Sequence, residues 1–288
     1  MMRIGVVLPQ TEIGSEPAGL RRYAEGVAEL GFAHVLAYDH VVGADPAVHQ
    51  GWDGPYDIQT QFHEPFVLFG YLAALLDLEL VTGIIILPQR QTVLVAKQAA
   101  EVDLLTGGRF RLGIGIGWNA VEYEALGKRF SDRGVRLEEQ VALLRRLWTE
   151  TTVTFEGEYE RVTGAGLAPM PRQRPIPIWI GGSSEPAYRR MGRLADGWFP
   201  QVQPGPKLDA ALAVIEESAR AAGRDPGSIG MEGRISWRGD LTDAVDRLEQ
   251  WEKAGATHVA VNTMGAGLGG VDDHLRVLAE IAARRPPG

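Results

Sequence analysis

Cysteine does not occur in the 288 residues of the chain, which excludes disulfide bridges, thiolate metal ligands and a cysteine nucleophile. Long apolar runs are missing too. Nothing approaches the roughly 18 uninterrupted apolar residues of a membrane span. The first ten residues, MMRIGVVLPQ, carry one basic residue and only a brief apolar run, unlike a signal peptide. A soluble, cytoplasmic protein is therefore expected. Basic residues are outnumbered, 29 Lys and Arg against 37 Asp and Glu, for a net charge of −8. With no evident basic face, neither nucleic acid nor a membrane is an expected partner. Histidine is scarce at six residues, and no H-E-x-x-H or other spaced set with carboxylates points to a metal. No G-x-S-x-G points to a serine hydrolase.

Hydrophobic residues make up 45 % of the chain, enough for one large core. They fall in short apolar runs that alternate with segments of helical period. RIGVVL (3–8) precedes a helix from about Pro17 to Leu30, with Leu20, Tyr23, Val27 and Leu30 on one face and Gly31 suited to its end. AHVLAYDHV (33–41) leads into a polar, aromatic loop and a helix opening at Pro65. LELVTGIIIL (78–87) is apolar on both faces, as a strand covered on both sides should be. A helix from Val93 to Leu105 ends at Gly107–Gly108, RFRLGIGIGW (109–118) follows, and the next helical period begins only after Ser131, with Leu137, Val141, Leu144 and Trp148 on one face.

Residues 151–176 break the rhythm and suggest a β-hairpin insertion turning around Glu156–Gly157. The alternation resumes with IPIWIGG (176–182), DGWFP (196–200), IGMEGRISW (229–237) and HVAVNT (258–263), each followed by a helix, the last from Val271. Eight strand-then-helix units imply an α/β fold with a parallel sheet, closed as a (β/α)8 TIM barrel with loop and β-hairpin insertions. An open doubly wound sheet is the alternative. No linker divides the chain, so residues 1–288 are expected to form one barrel domain.

The glycines Gly113, Gly115 and Gly117, read through to Ala120, also spell G-x-G-x-x-A, with Glu138 and Glu139 about twenty residues on. That outlines a dinucleotide fingerprint, which requires a helix starting directly at the glycines. WNAVEYEALGKRF intervenes, so a nicotinamide fold is not favoured. In a barrel, Gly113 suits close strand packing. Gly115 and Gly117 lie at the strand's C-terminal end, where barrel enzymes keep their chemistry and where a glycine lets a flat ligand approach the backbone.

Other strands end in Asp39 and His40, in Ile84–Ile85–Ile86, in Gly181, Gly182 and Ser183, in Pro200 and Gln201, and in Asn262 and Thr263 before MGAGLGG. GGSS offers a phosphate cradle at a helix N-terminus, or a simple cap by Ser183 or Ser184. MGAGLGG is a rival cradle. Of the histidines only His40 sits where catalysis would want one, as a general acid/base or as a hydrogen-bonded structural residue. His34 and His258 fall at strand starts, and His274 is expected to be solvated in the last helix.

The stretches YDHV (38–41), residues 63–127, PIPIWIGG (175–182), ADGWFP (195–200) and NTMGAGL (262–268) resemble the bacterial-luciferase-like flavin and deazaflavin oxidoreductases, in the branch of coenzyme F420-dependent enzymes. The resemblance implies an insertion-bearing barrel with a flavin-type ring at its mouth. It also implies a non-proline cis peptide near Ile84–Ile85 and phosphate held by Gly115, Gly117, Gly181, Gly182 and Ser183. Asp39, Ile84, Ile85, Trp118 and Gln201 complete the expected cofactor contacts. His40 matches a histidine that works beside the hydride-accepting carbon. Relatives that oxidise sugar phosphates place a glutamate where this chain has Trp118, which speaks against that substrate and against a two-residue acid/base pair.

Three readings follow. The first is hydride transfer between coenzyme F420 and a small organic substrate, with His40 handling the proton. The second is an FMN-dependent monooxygenase, and the third a non-catalytic cofactor-binding protein. Trp52, Tyr56, Gln59 and His63 from the loop after the second strand, with Trp198 and Trp237, are the expected substrate pocket. A homodimer is the expected assembly.

Overall fold

The computed structural model describes residues 2–284. Strands β1 (Arg3–Val7), β2 (His34–Ala37), β3 (Glu79–Thr82), β4 (Ile85–Ile86) and β5 (Phe110–Gly115) alternate with helices α1 (Pro17–Glu29), α2 (Pro65–Ala73) and α3 (Thr92–Leu105). After β5 come α4 (Ala120–Ala125), α5 (Arg133–Thr149) and the strands β6 (Val153–Glu156) and β7 (Arg161–Ala165). The remainder is β8 (Ile178–Gly182), α6 (Glu185–Leu194), β9 (Gly197–Pro200), α7 (Pro206–Ala221), β10 (Gly230–Ser236), α8 (Leu241–Lys253), β11 (His258–Asn262) and α9 (Val271–Arg284).

The parallel strands form a closed ring. β1 pairs with β2 and β11, β2 with β3, and β3 with β5. From β5 the ring runs through β8, β9 and β10 back to β11. β3 and β4 are one barrel strand broken at Gly83–Ile84, and β4 pairs with the end of β5. This is the eight-stranded barrel that the apolar runs imply, and the open sheet is excluded. The hairpin is narrower than 151–176: only β6 and β7 pair, antiparallel.

Two apolar layers share the strands. One lies between sheet and helices and contains Val6, Leu80, Phe110, Leu144 and Trp148; the other fills the barrel interior with Val7, Leu36, Val81, Trp179, Phe199 and Ala260. Alternation along each strand sends neighbouring residues to opposite layers. Burying one Leu or Phe stabilises the fold by about 1.5–3 kcal/mol.

Below the interior layer, at the strand starts, sits a buried ionic cluster. His34 Nε2 lies 2.7 Å from Glu232 Oε1, and the Arg111 guanidinium meets Glu232 at 2.8 Å and Glu79 at 3.0 Å. His258 packs edge-on against Trp179, and Arg111 lies over the same indole. Gly5 has no side chain because a Cβ there would fall 2.3 Å from the His34 ring. His34 and His258 therefore belong to the closed end of the barrel, as their positions at strand starts imply.

Several local expectations are corrected. A helix does start almost at the β5 glycines: α4 begins at Ala120, and the Asn119 side chain accepts from the Val121 and Glu122 amides at its N-terminus. Helix propensity there was masked by the lack of a long apolar period. The cis peptides among the described residues are Ala168–Pro169 and Arg174–Pro175, so the expected non-proline cis bond near Ile84–Ile85 is not found. The strand break at Gly83–Ile84 accommodates the irregular backbone instead. His274 is fully buried, not solvated: Nδ1 is 2.7 Å from Thr263 Oγ1, and Nε2 is 3.2 Å from Glu12 Oε2. Among the described residues no helix is long and apolar enough to cross a membrane, and no three His, Asp or Glu side chains are grouped to hold a metal ion.

Candidate active site

The C-terminal ends of the strands enclose a cavity of about 440 Å³. β2 contributes Asp39 and His40 through the residues just after it, the β3–β4 break gives Ile84, β5 gives Gly115, the turn before α4 gives Gly117, Trp118 and Asn119, and α4 itself gives Glu122. β8 adds Gly181 and Gly182, the turn after it Ser183, the middle of α6 Arg190, and Gln201 follows β9. Nearly all the expected cofactor residues are thus brought to one place. Ile85 is the exception. It is completely buried in the outer layer, because it has the opposite parity to Ile84.

The glycines divide by purpose. A Cβ on Gly113 would fall 1.8 Å from the Thr82 carbonyl oxygen, so that glycine serves strand packing. Gly115 and Gly181 flank Ile84: an added Cβ would sit 1.9 Å and 3.3 Å from Ile84 side-chain carbons. The isoleucine at the strand break therefore rests in the space the two glycines leave. Gly117 has a φ of 63°, the left-handed region that side chains disfavour. GGSS lines the cavity and MGAGLGG does not. The N-cap residue Ser184 makes no side-chain cap of α6, so the simple-cap alternative is not realised.

Glu138 and Glu139, the acidic pair of the fingerprint, act elsewhere. Glu138 pairs with Arg190 and Arg193, and Glu139 accepts the backbone amides of Glu158, Tyr159 and Glu160 in the hairpin turn.

His40 is the hub of the mouth. Its ring packs on Tyr56 (4.9 Å between centroids), Phe62 (4.8 Å) and Trp118 (5.9 Å). Its Nδ1 lies 3.6 Å from Glu122 Oε1, an ion-pair distance longer than a hydrogen bond. Glu122 is 1 % exposed and accepts from Val41 N at 2.5 Å, Val42 N at 3.3 Å and Gln89 Nε2 at 3.0 Å. Burial opposes its ionisation. The His40 ring, the Val41 amide and the Gln89 amide prevail and hold the carboxyl below the usual range.

Sequence reasoning missed this carboxylate, because Trp118 occupies the place where a glutamate was sought. Its signal was the capping-box spacing from Asn119 to Glu122. Here Asn119 caps as that motif requires, while Glu122 turns to the β2 loop.

Asp39 also faces the cavity, but both its carboxylate oxygens accept from Arg90 Nη2 at 2.9 Å. Burial pushes the Asp39 carboxyl up, and Arg90 pulls against it. Arg234 on β10 lines the opposite wall and donates to the Tyr38 hydroxyl at 2.8 Å. Glu232 lines the cavity as well, so the ionic cluster reaches its floor.

The expected substrate residues are dispersed. Tyr56, Gln59 and His63 line a second cavity of about 370 Å³, which shares His40, Tyr56 and Asn119 with the first. Trp52 lines neither; it stacks on Trp118 at 5.6 Å and donates its indole N–H to the Tyr56 carbonyl. Trp198 is corrected. It is buried in the outer layer against Tyr188, while its neighbour Phe199 faces inward. Trp237 likewise packs on the outer layer and does not line the cavity.

Comparison with known proteins agrees with the barrel fold. An uncharacterised protein of Mycobacterium tuberculosis is 36 % identical over 202 residues, 69 % of this chain and 67 % of that one. A protein of Amycolatopsis mediterranei named F420-dependent glucose-6-phosphate dehydrogenase is 27 % identical over 263 residues, 87 % of this chain and 74 % of that one. Among solved structures, an F420-dependent secondary alcohol dehydrogenase in complex with an F420–acetone adduct superposes with a TM-score of 0.77 at 18 % identity, covering 97 % of this chain and 99 % of that one. A monooxygenase of Streptomyces bottropensis gives 0.73 at 21 % identity, covering 98 % of each. These two share the fold. Residues 2–268 match the luciferase-like monooxygenase family, and the chain belongs to it.

Proposed function

We propose that the protein is an oxidoreductase that transfers a hydride between the deazaflavin coenzyme F420 and a small organic substrate. The observation that carries this reading is a single cavity joining a glycine-walled cradle to His40. Its size falls in the range of small-molecule sites, roughly 300–1,000 Å³. The residues present fit such a group. Ile84, Ile86 and Phe199 offer apolar surface to a flat ring. The backbone amides before α6, left without a side-chain cap, and the nearby Arg190 suit a phosphate. Relatives named as F420-dependent dehydrogenases at 27 % and 33 % identity support the deazaflavin over FMN.

When bound, a deazaflavin supplies a two-electron hydride acceptor or donor that reacts poorly with oxygen. In this reading the chain does the rest. Gly115, Gly117, Gly181, Gly182 and Ser183 would hold the ring and its phosphate, and Ile84, Asp39, Trp118 and Gln201 would complete its contacts. Trp118, Tyr56 and Phe62 keep water from His40, which takes or returns the substrate proton. The second cavity seats the substrate. The protein works as a cytoplasmic homodimer on a small molecule.

Titration with coenzyme F420 and with FMN tests this, followed by fluorescence and visible absorbance. Micromolar binding of F420 and much weaker binding of FMN is expected. Preference for FMN would replace the reading by an oxygen-using one, and binding of neither would remove the cofactor assignment.

A further inference from the structure

Glu122 is a buried acid at the edge of the cavity. Its carboxylate meets two successive backbone amides after His40, a buried glutamine amide, and the Nδ1 edge of the His40 ring. It therefore ties together three elements: the end of β2, the turn after β4 that carries Gln89, and α4. Gln89 is itself 5 % exposed, so the arrangement is fixed from behind. Among the described residues no protein group hydrogen-bonds His40 Nε2 on the opposite edge of the ring, and His40 lines both cavities.

A neutral imidazole carries one proton, on Nδ1 or on Nε2. With an ionised carboxylate facing Nδ1, the Nε2–H tautomer would aim a ring lone pair at a negative charge. The Nδ1–H tautomer aims a positive dipole there instead. Which nitrogen is protonated is set by what faces the other edge.

We infer that Glu122 is a positioning residue that holds His40 as the Nδ1–H tautomer and so presents Nε2 to the cavities as a proton acceptor. This rests on the proposed reading only in taking His40 as the group that faces substrate. It deepens that reading in one respect. A ring presented as an acceptor suits a substrate whose O–H or N–H must be deprotonated as the neighbouring C–H gives up its hydride. The substrate class is then an alcohol, a lactol or an amine, or in the reverse direction the carbonyl or imine it yields, rather than an alkene. The second cavity agrees with a polar molecule that is not an anion: Ser15, Gln59, Thr60 and Gln61 line it beside Asp57, and no Lys or Arg does.

The test begins on the protein without cofactor. Two-bond 15N–1H correlation spectra of the histidine rings at pH 8 distinguish the tautomers, and the His40 signals are those lost in His40→Gln. The expected result is Nδ1 protonated and Nε2 bare; the reverse pattern would overturn the inference. Glu122→Gln keeps the shape and removes the charge, and is expected to move the spectrum toward mixed tautomers. In turnover of a hydroxy substrate it should lower kcat by about 10²-fold, with KM and F420 affinity each within about threefold of wild type. An unchanged kcat, or an equal loss of cofactor binding, would reduce Glu122 to scaffolding. Failure to bind F420 would remove the proposed function and leave the tautomer measurement standing.

Discussion

Ile84 shows how one side chain can decide what a cavity admits. It occupies the gap left by Gly115 and Gly181, and its outer carbons form part of the wall. Gly115→Ala would place a Cβ 1.9 Å from Ile84 Cδ1, so the isoleucine must swing away. Its backbone is held by the strand break, and the remaining free direction is into the cavity. We expect F420 affinity to fall about tenfold while thermal stability changes by no more than about 1–3 kcal/mol, the usual cost of a local overpacking. Paired titration and melting curves check this. Unchanged affinity would mean that Ile84 is not part of the seat of the ring. The glycine itself was legible in the sequence, but its partner was not. RFRLGIGIGW shows that something lies close to the backbone, and only the three-dimensional register shows that it is a protein side chain.

The barrel was legible because its elements have the right periods, and the errors fall where period is silent or was left unread. The order of strands and helices follows from apolar runs and helical faces. Parity within a short apolar strand does not: GWFP could bury either Trp198 or Phe199 inward, and III either Ile84 or Ile85, since both faces of these strands are covered. His274 was legible and misread. It stands three, four and seven residues before Val277, Leu278 and Ile281, all buried on one face of α9, so the helical period already placed it inward. The six-residue α4 is too short to show a period, and with it Glu122 was hidden.

The acidic pair on α5 illustrates the converse, a motif match with a different purpose. Glu139 accepts three successive amides of the β6–β7 turn. Glu139→Ala should release amide hydrogen-exchange protection at residues 158–160 and cost about 1–3 kcal/mol, as for the loss of hydrogen bonds to a charged acceptor. Retained protection at those amides would show that the hairpin holds its turn unaided.

Acid should act on the whole protein from the closed end of the barrel. His258 is pushed down to about 3 from an ordinary 6.5, first by burial and then by Arg111. Glu232, although burial opposes its charge, is held down to about 2 from 4.5 by His34 and Arg111. Both folded values lie below the unfolded ones, so the unfolded chain binds more protons and stability falls with acidification. For His258 the loss begins near pH 6.5 and is complete below about 3; for Glu232 it runs from about 4.5 to 2. Each adds at most one proton, or about 1.4 kcal/mol per pH unit, to the slope. Denaturant titrations at pH 7, 5.5 and 4 should show this decline, and His258→Gln should flatten its upper part. A slope unchanged in that variant would place the acid sensitivity elsewhere.

The two cavities have three residues in common, His40, Tyr56 and Asn119. A partition that belongs to both rooms cannot be moved from one side alone. Whatever factor an occupant of the larger cavity applies to affinity in the smaller must be returned in full when the order of loading is reversed. Binding order is then a matter of kinetics only, and the strength of the mutual effect is a property of these three side chains.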